Sequence, residues 1–336
     1  MSQHLVDANV FIATMGPGLA RASRSSDNGW RVESLIADRD VRCLASDPLD
    51  SEVVYAGTQG GGVLRSDDRG QTWLPAGLDG HAVKSLAVSR VELGAVYAGT
   101  KPALLFVSRD GGARWTELDS FRRIRSRRLW FSPAEKPYTA YVQSIALSPT
   151  DPNVINVGIE AGATVRSADG GNSWTGHLKG SLRDCHTLIS HRSDGEWVYE
   201  AGGTGAGAAV SRDAGRTWTQ PRTGLNRHYG WACAADAAKP NVWYVSVSPG
   251  AMKAHSDNNA QAAIFRWTDE GWQQLAGGLP QPINHMPYAL LTDPEAPGHV
   301  YAGLSDGEVW HSADYGESWG RLPFNLRAIK RDLIAL

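Results

Sequence analysis

The chain has 336 residues, a net charge of −2 at pH 7, 20% charged residues, 37 glycines and 13 tryptophans. Its length allows about two domains at roughly 150 residues each, a prior that all-β folds often break. Near-neutral charge removes any global electrostatic drive toward nucleic acid or an anionic membrane. Abundant glycine without a G-X-Y period excludes collagen, and the tryptophan content argues against disorder.

The first segment, MSQHLVDANVFIATMGPGLA, has no basic stretch followed by a long apolar one, so it does not read as a signal peptide. No apolar run reaches the length of about 18 residues that a membrane helix needs. Cys43, Cys185 and Cys233 are odd in number and far apart, which predicts reduced thiols and a cytoplasmic protein.

Along the chain, short apolar strands alternate with one recurring string. NVFIAT at 9–14 precedes SSDNGW at 25–30; VRCLAS at 41–46 and VVYAGT at 53–58 precede SDDRGQTW at 66–73; VKSLAVS at 83–89 and VYAGT at 96–100 precede SRDGGARW at 108–115. VQSIALS at 142–148 and VINVGI at 154–159 precede SADGGNSW at 167–174, and WVYEAG at 197–202 precedes SRDAGRTW at 211–218. TDEGW follows at 268–272, then VYAGL at 300–304, SADYGESW at 312–319 and a final AIKRDLIAL at 328–336. Five copies read Ser-x-Asp-x-Gly-x-x-Trp and two are shortened, with aspartate spacings of 41, 42, 59, 44, 56 and 45. In this string the Asp accepts backbone N–H groups in a tight turn, Gly supplies positive φ and Trp opens the next strand. Four strands per period of about 42 residues is the spacing of a β-propeller blade.

The strings resemble the BNR or Asp-box repeat of sialidases, xyloglucanases, sortilin-type receptors and photosystem II assembly factors, within the wider WD40/YVTN-like propellers. The resemblance runs from about residue 11 to the end. It implies that the boxes are structural turns on the face away from an active site, so their aspartates are not catalytic. The arginine triad and Tyr/Glu nucleophile of sialidases do not carry over residue by residue, and the xyloglucanases use two propellers in over twice this length.

The chain starts on what matches a second strand of a blade and ends on what matches a first. These ends predict one all-β domain over 1–336, a seven-bladed propeller with four antiparallel strands per blade and the first blade closed by the carboxyl-terminal strand. The two oversized spacings locate insertions at 116–141 and 246–263, both expected on the face that carries function.

The first insertion contains Arg122, Arg123, Arg125, Arg127 and Arg128, then Trp130 and Phe131. It reads either as a cationic flap suited to carboxylate, sulfate or phosphate, or as a solvated loop. Aligned first strands put Asp40 and Arg42, His81 and Lys84, Tyr141 and Gln143, Asp184 and His186, His228 and Tyr229, His285 and Tyr288, and Lys330 and Arg331 around the channel mouth. Trp231 belongs to the fifth of these strands, with His228 and Tyr229, and His255 and Asp257 come from the second insertion.

His186, His228 and His285 on successive blades are candidates for acid–base work or for a divalent metal, although no local metal-binding signature accompanies them. Cys185 reads as a buried thiol. Glu160 and Asp184, on neighbouring blades, form a candidate acid and base for glycoside hydrolysis. The expected ligands are Arg122, Arg125, Arg128, Trp130, Tyr141, Arg42, Lys84, Tyr229, Trp231, His255, Tyr288 and Arg331, around a small anionic or saccharide-like molecule. Three readings stay open: a ligand-binding propeller with histidine-based, metal-assisted hydrolase or lyase chemistry; a non-catalytic scaffold or assembly factor for a protein partner; and a glycosidase using Glu160 and Asp184.

Overall fold

A computed structural model describes residues 8–27 and 29–336; the first seven residues, and Asn28 of the shortened first box, lie outside it. Extended strands dominate, ordered into six hydrogen-bonded antiparallel sheets that follow one another along the chain. Three sheets have four strands, two have three, and one has six. The six-stranded sheet contains two long strands, Val10–Arg24 and Trp30–Ser46, and the carboxyl-terminal strand Leu333–Ala335 pairs with the first of them, Phe11 opposite Ala335. The architecture is a β-propeller. No helix among the described residues is long and apolar enough to cross a membrane.

The boxes fold as the string demands. In each complete copy the serine hydroxyl donates to the aspartate at 2.7–2.9 Å and accepts the glycine N–H at 2.8–2.9 Å. The aspartate then accepts the backbone N–H four residues on, at Thr72, Arg114, Ser173, Thr217 and Ser318. The glycine and the residue before it both have positive φ, as at Arg69 and Gly70 or Ala214 and Gly215. The box tryptophans at 73, 115, 218 and 319 donate the indole N–H to the carbonyl of the box glycine, at 2.9–3.1 Å.

Small residues in the second strand of each repeat let the sheets pack. A Cβ at Gly57 would sit 2.7 Å from Val83, one at Gly99 2.3 Å from Val142, and one at Gly158 2.2 Å from the Cys185 sulfur. Each of these partners belongs to the inner strand of the next sheet. Glycine there is the condition for close sheet-to-sheet approach, and the tyrosines two residues earlier at 55 and 97 fill the core behind it.

Six inner strands break register near their starts. The shifts fall between Val41 and Cys43, Val83 and Ser85, Val142 and Ser144, Cys185 and Thr187, Gly230 and Cys233, and Pro287 and Ala289. A bulge leaves one residue unpaired and re-aims its side chain. The residues at these breaks include Arg42, Lys84, Gln143, His186, Trp231 and Tyr288. Five of these six strands therefore place one unpaired residue near their start, and the strand Tyr229–Ala235 places two, Trp231 and Ala232.

Candidate functional site at the channel mouth

A cavity of 660 Å³ opens at these strand starts, lined among others by Arg42, Lys84, Glu135, Tyr141, Gln143, Trp231, Lys330 and Arg331. None of the box aspartates lines it. Arg331 donates to the side-chain oxygen of Gln143 at 2.7 Å and to its backbone carbonyl, which spans the cavity floor. Trp231 connects the cavity to a second cluster, because its ring lies 4.4 Å from the His186 ring at 34°.

His186 is 3% exposed, and its Nδ1 lies 2.7 Å from the Gly230 carbonyl. Nε2 faces two carboxylates, Asp184 Oδ2 at 3.5 Å and Glu160 Oε2 at 3.9 Å. Glu160 follows the strand Ile155–Ile159, and Asp184 precedes the strand Cys185–Ser190, so adjoining sheets supply the pair. Asp184 Oδ1 accepts the Ala161 N–H at 3.2 Å, which pins one carboxylate to the loop that carries the other. Burial and then the Asp184 charge push the Glu160 carboxyl up to about 8, with Arg331 opposing the rise. Burial lowers the pKa of His186 against the pull of Asp184. Glu160 thus keeps its proton at neutral pH while His186 stays neutral.

Glu160, Asp184 and His186 bring one donor atom each within 4.8 Å of the others, so they can hold a divalent ion. The histidine set expected from sequence does not assemble. His228 is exposed ahead of the strand Tyr229–Ala235, and His285 pairs instead with Asp306 at 3.5 Å. The reason is the bulge: it aims the unpaired residue inward, and in those two strands that residue is Trp231 or Tyr288, whereas the histidines precede the strand.

An aromatic wall adjoins the cluster. His255, delivered by the second insertion just after the short helix Ala251–Ala254, is fixed between two phenols, with Nε2 2.9 Å from Tyr229 and Nδ1 2.7 Å from Tyr288. Trp231 meets His255 and Tyr288 edge-on at 5.1 and 5.0 Å. This insertion begins later than expected, because Ser246–Ser248 complete the strand Trp243–Ser248.

The first insertion corrects a second expectation. Its chain makes two 3-10 turns, Asp119–Arg123 and Arg125–Leu129, anchored by buried Phe121 and Ile124. The arginines consequently point away from the cavity. Arg122 pairs with Glu117 at 2.8 Å, Arg125 and Arg128 are exposed, and Arg127 caps the Ala103 carbonyl at 2.6 Å. Trp130 packs on Phe121 with 5.8 Å between centroids and does not line this cavity. What the insertion delivers there is Glu135, which sequence reasoning missed because it stands alone in an irregular stretch with no repeat to align it.

No protein-family profile matches the chain. It is 25% identical over 308 residues to a Paenibacillus xyloglucanase, covering 77% of this chain and 30% of that protein. It is 23% identical over 181 residues to the oligoxyloglucan-reducing end-specific xyloglucanase of Emericella nidulans, covering 48% and 21%. The chain thus spans about a third or less of the curated relatives it matches. Among solved structures it resembles the GH74 xyloglucanase of Xanthomonas campestris, with TM-score 0.64, 20% identity, and 84% of this chain against 45% of that one. It also resembles YCF48 from Cyanidioschyzon merolae, with TM-score 0.58, 13% identity and 87% of both chains. The structural neighbours are therefore β-propellers of the xyloglucanase and YCF48 kinds, consistent with a BNR-type superfamily.

Proposed function

We propose that the protein is a saccharide-binding propeller with glycoside-hydrolase-like chemistry at Glu160 and Asp184. One observation carries the reading: two carboxylates from adjoining sheets come within 4.8 Å, one buried and protonated, the other anchored by a backbone N–H. Retaining glycosidases hold their carboxyl groups closer together, about 5–5.5 Å, than inverting ones, about 6.5–9.5 Å, and the close approach of these two carboxylates suits the retaining route. In this reading Glu160 protonates the departing glycosidic oxygen while Asp184 attacks the anomeric carbon. Water then cleaves the glycosyl ester with Glu160 as base. Trp231 and Tyr288 offer ring faces on which a sugar stacks. The xyloglucanase relatives support a saccharide ligand.

The test is hydrolysis of xyloglucan oligosaccharides and aryl glycosides by the wild type, Glu160→Gln and Asp184→Asn, with the product anomer followed by NMR. Turnover with retention in the wild type, lost in both variants, is expected. Absence of turnover over the whole panel sinks the reading.

A second reading has its own observation. The first insertion exposes Leu129, Phe131 and Tyr138 at 81%, 52% and 48%, and the chain resembles, at TM-score 0.58 and 13% identity, a structure of YCF48 bound to a D1 peptide. A protein partner seated on this insertion would fit these side chains.

We also infer seven blades. The six-stranded sheet divides where its long strands change partners, which yields a first blade of Leu333–Ala335 with the paired stretches of 10–36 and a second beginning at Val41. The three free, buried cysteines support placing the protein in the cytoplasm.

A further inference from the structure

Lys84 and Lys101 are 4% and 9% exposed, and they lie on the paired first and second strands of one sheet, Ala82–Val88 and Val96–Lys101. Buried ammonium groups need an anion. Both converge on one carboxylate oxygen of Glu135: Lys84 by a direct hydrogen bond, and Lys101 at 3.2 Å, which also donates to the Glu135 carbonyl at 2.8 Å. Arg42 approaches the other oxygen at 3.7 Å. The Tyr141 ring lies under both ammonium groups, at 5.1 and 5.7 Å. Two rigid strands therefore build a carboxylate receptor, while the carboxylate itself arrives on an irregular loop at the wall of an open 660 Å³ cavity.

We propose that this cradle is a carboxylate subsite for an acidic saccharide, a uronate, and that Glu135 occupies it in cis until the ligand's own carboxylate displaces it. The choice of a sugar acid rests on the saccharide reading above, since Tyr141 and Trp231 supply ring faces on the same cavity wall. The exchange is charge-neutral for the lysines: one carboxylate leaves and another takes its hydrogen bonds. Displacement of Glu135 frees the stretch 131–140, which makes insertion and cavity two positions of one gate. The subsite would select charged over neutral sugars, and Glu135 would set the threshold concentration at which they enter.

The experiment is calorimetric titration of the full chain with glucuronate, glucose and an acidic dipeptide. Glu135→Ala and Glu135→Gln should each bind glucuronate at least tenfold tighter than the wild type, glucose should gain nothing, and adding Lys84→Gln to either should abolish the gain. Amide exchange over 131–140 in the wild type should rise when glucuronate is bound. Equal glucuronate affinity in the wild type and both Glu135 variants would show that Glu135 is only a tether, and overturn the proposal. So would equal gains for glucose, or a gain for the dipeptide alone. Turnover of neutral glycosides is measured separately: its absence defeats the hydrolase reading without touching the glucuronate result, and its presence does not rescue a cradle that binds nothing.

Discussion

His186 Nδ1 lies 2.7 Å from the carbonyl oxygen of Gly230. A carbonyl only accepts, so Nδ1 carries the ring proton and Nε2 presents its lone pair to Asp184 and Glu160. An imidazole held by a backbone carbonyl on one nitrogen and facing carboxylates with the other is a typical zinc donor arrangement. Zinc should therefore inhibit glycoside turnover by taking the proton's place, and a chelator should reverse it. His186→Phe should weaken the inhibition about 10–100-fold. Rates insensitive to zinc would remove the metal from the account of this site.

In the proposed reaction Glu160 can serve as the acid only while protonated. With its carboxyl pushed up to about 8 by burial and the Asp184 charge, kcat/KM should fall above about pH 8. The same shift works on stability. The native chain keeps a proton that the unfolded chain releases above its ordinary value of about 4.3, so native stability declines as pH rises from there toward 8. Glu160→Gln should thus be more stable than the wild type at pH 8 by about 1–3 kcal/mol in denaturant unfolding, with the difference vanishing near pH 4. A constant offset between the two across that window would contradict the assignment.

Gly203 sits against the Asp184 carboxylate, the nucleophile of the proposed reaction. A methyl there would lie 2.0 Å from Asp184 Oδ2 and 3.0 Å from the Tyr229 ring. Gly203→Ala should displace Asp184 and lower kcat about 10–100-fold, because small misplacements of reacting groups are costly. The global fold is kept, and circular dichroism with activity measured on one sample separates the two effects.

The box aspartates serve the fold. Asp213 accepts from the Thr217 N–H at 2.8 Å, the Thr217 hydroxyl at 2.6 Å and the Ser211 hydroxyl at 2.7 Å. Asp213→Ala should cost about 1–2 kcal/mol of stability, seen as a lower melting temperature, with kcat/KM unchanged at a temperature where both forms are folded. A large loss of activity without a loss of stability would give the boxes a role they are denied here.

Much of the mouth is legible along the chain, for one geometric reason. The inner strands align by their apolar pattern, so Arg42, Lys84, His186 and Tyr288 can be read to one level from the sequence. The bulge that aims them inward is less legible, since it depends on pairing with the second strand. That is why His228 and His285, which stand just before their strands, align near His186 in sequence and do not join it in space. The arginine run misleads in the same way: five like charges suggest a ligand, yet Phe121 and Ile124 take the core positions and turn the charges outward.

The sequence by itself determined the repeat, the turn chemistry of Ser-x-Asp-x-Gly-x-x-Trp and the all-β propeller. Each of these rests on local periodicity and on backbone needs that residue identity expresses directly. Only the tertiary structure decided that Glu160, Asp184 and His186 meet, and that Glu135 reaches Lys84, 51 positions earlier in the chain. Those meetings depend on sheet-to-sheet approach and on the path of an irregular loop, which are set by packing across the channel rather than by any spacing along the chain.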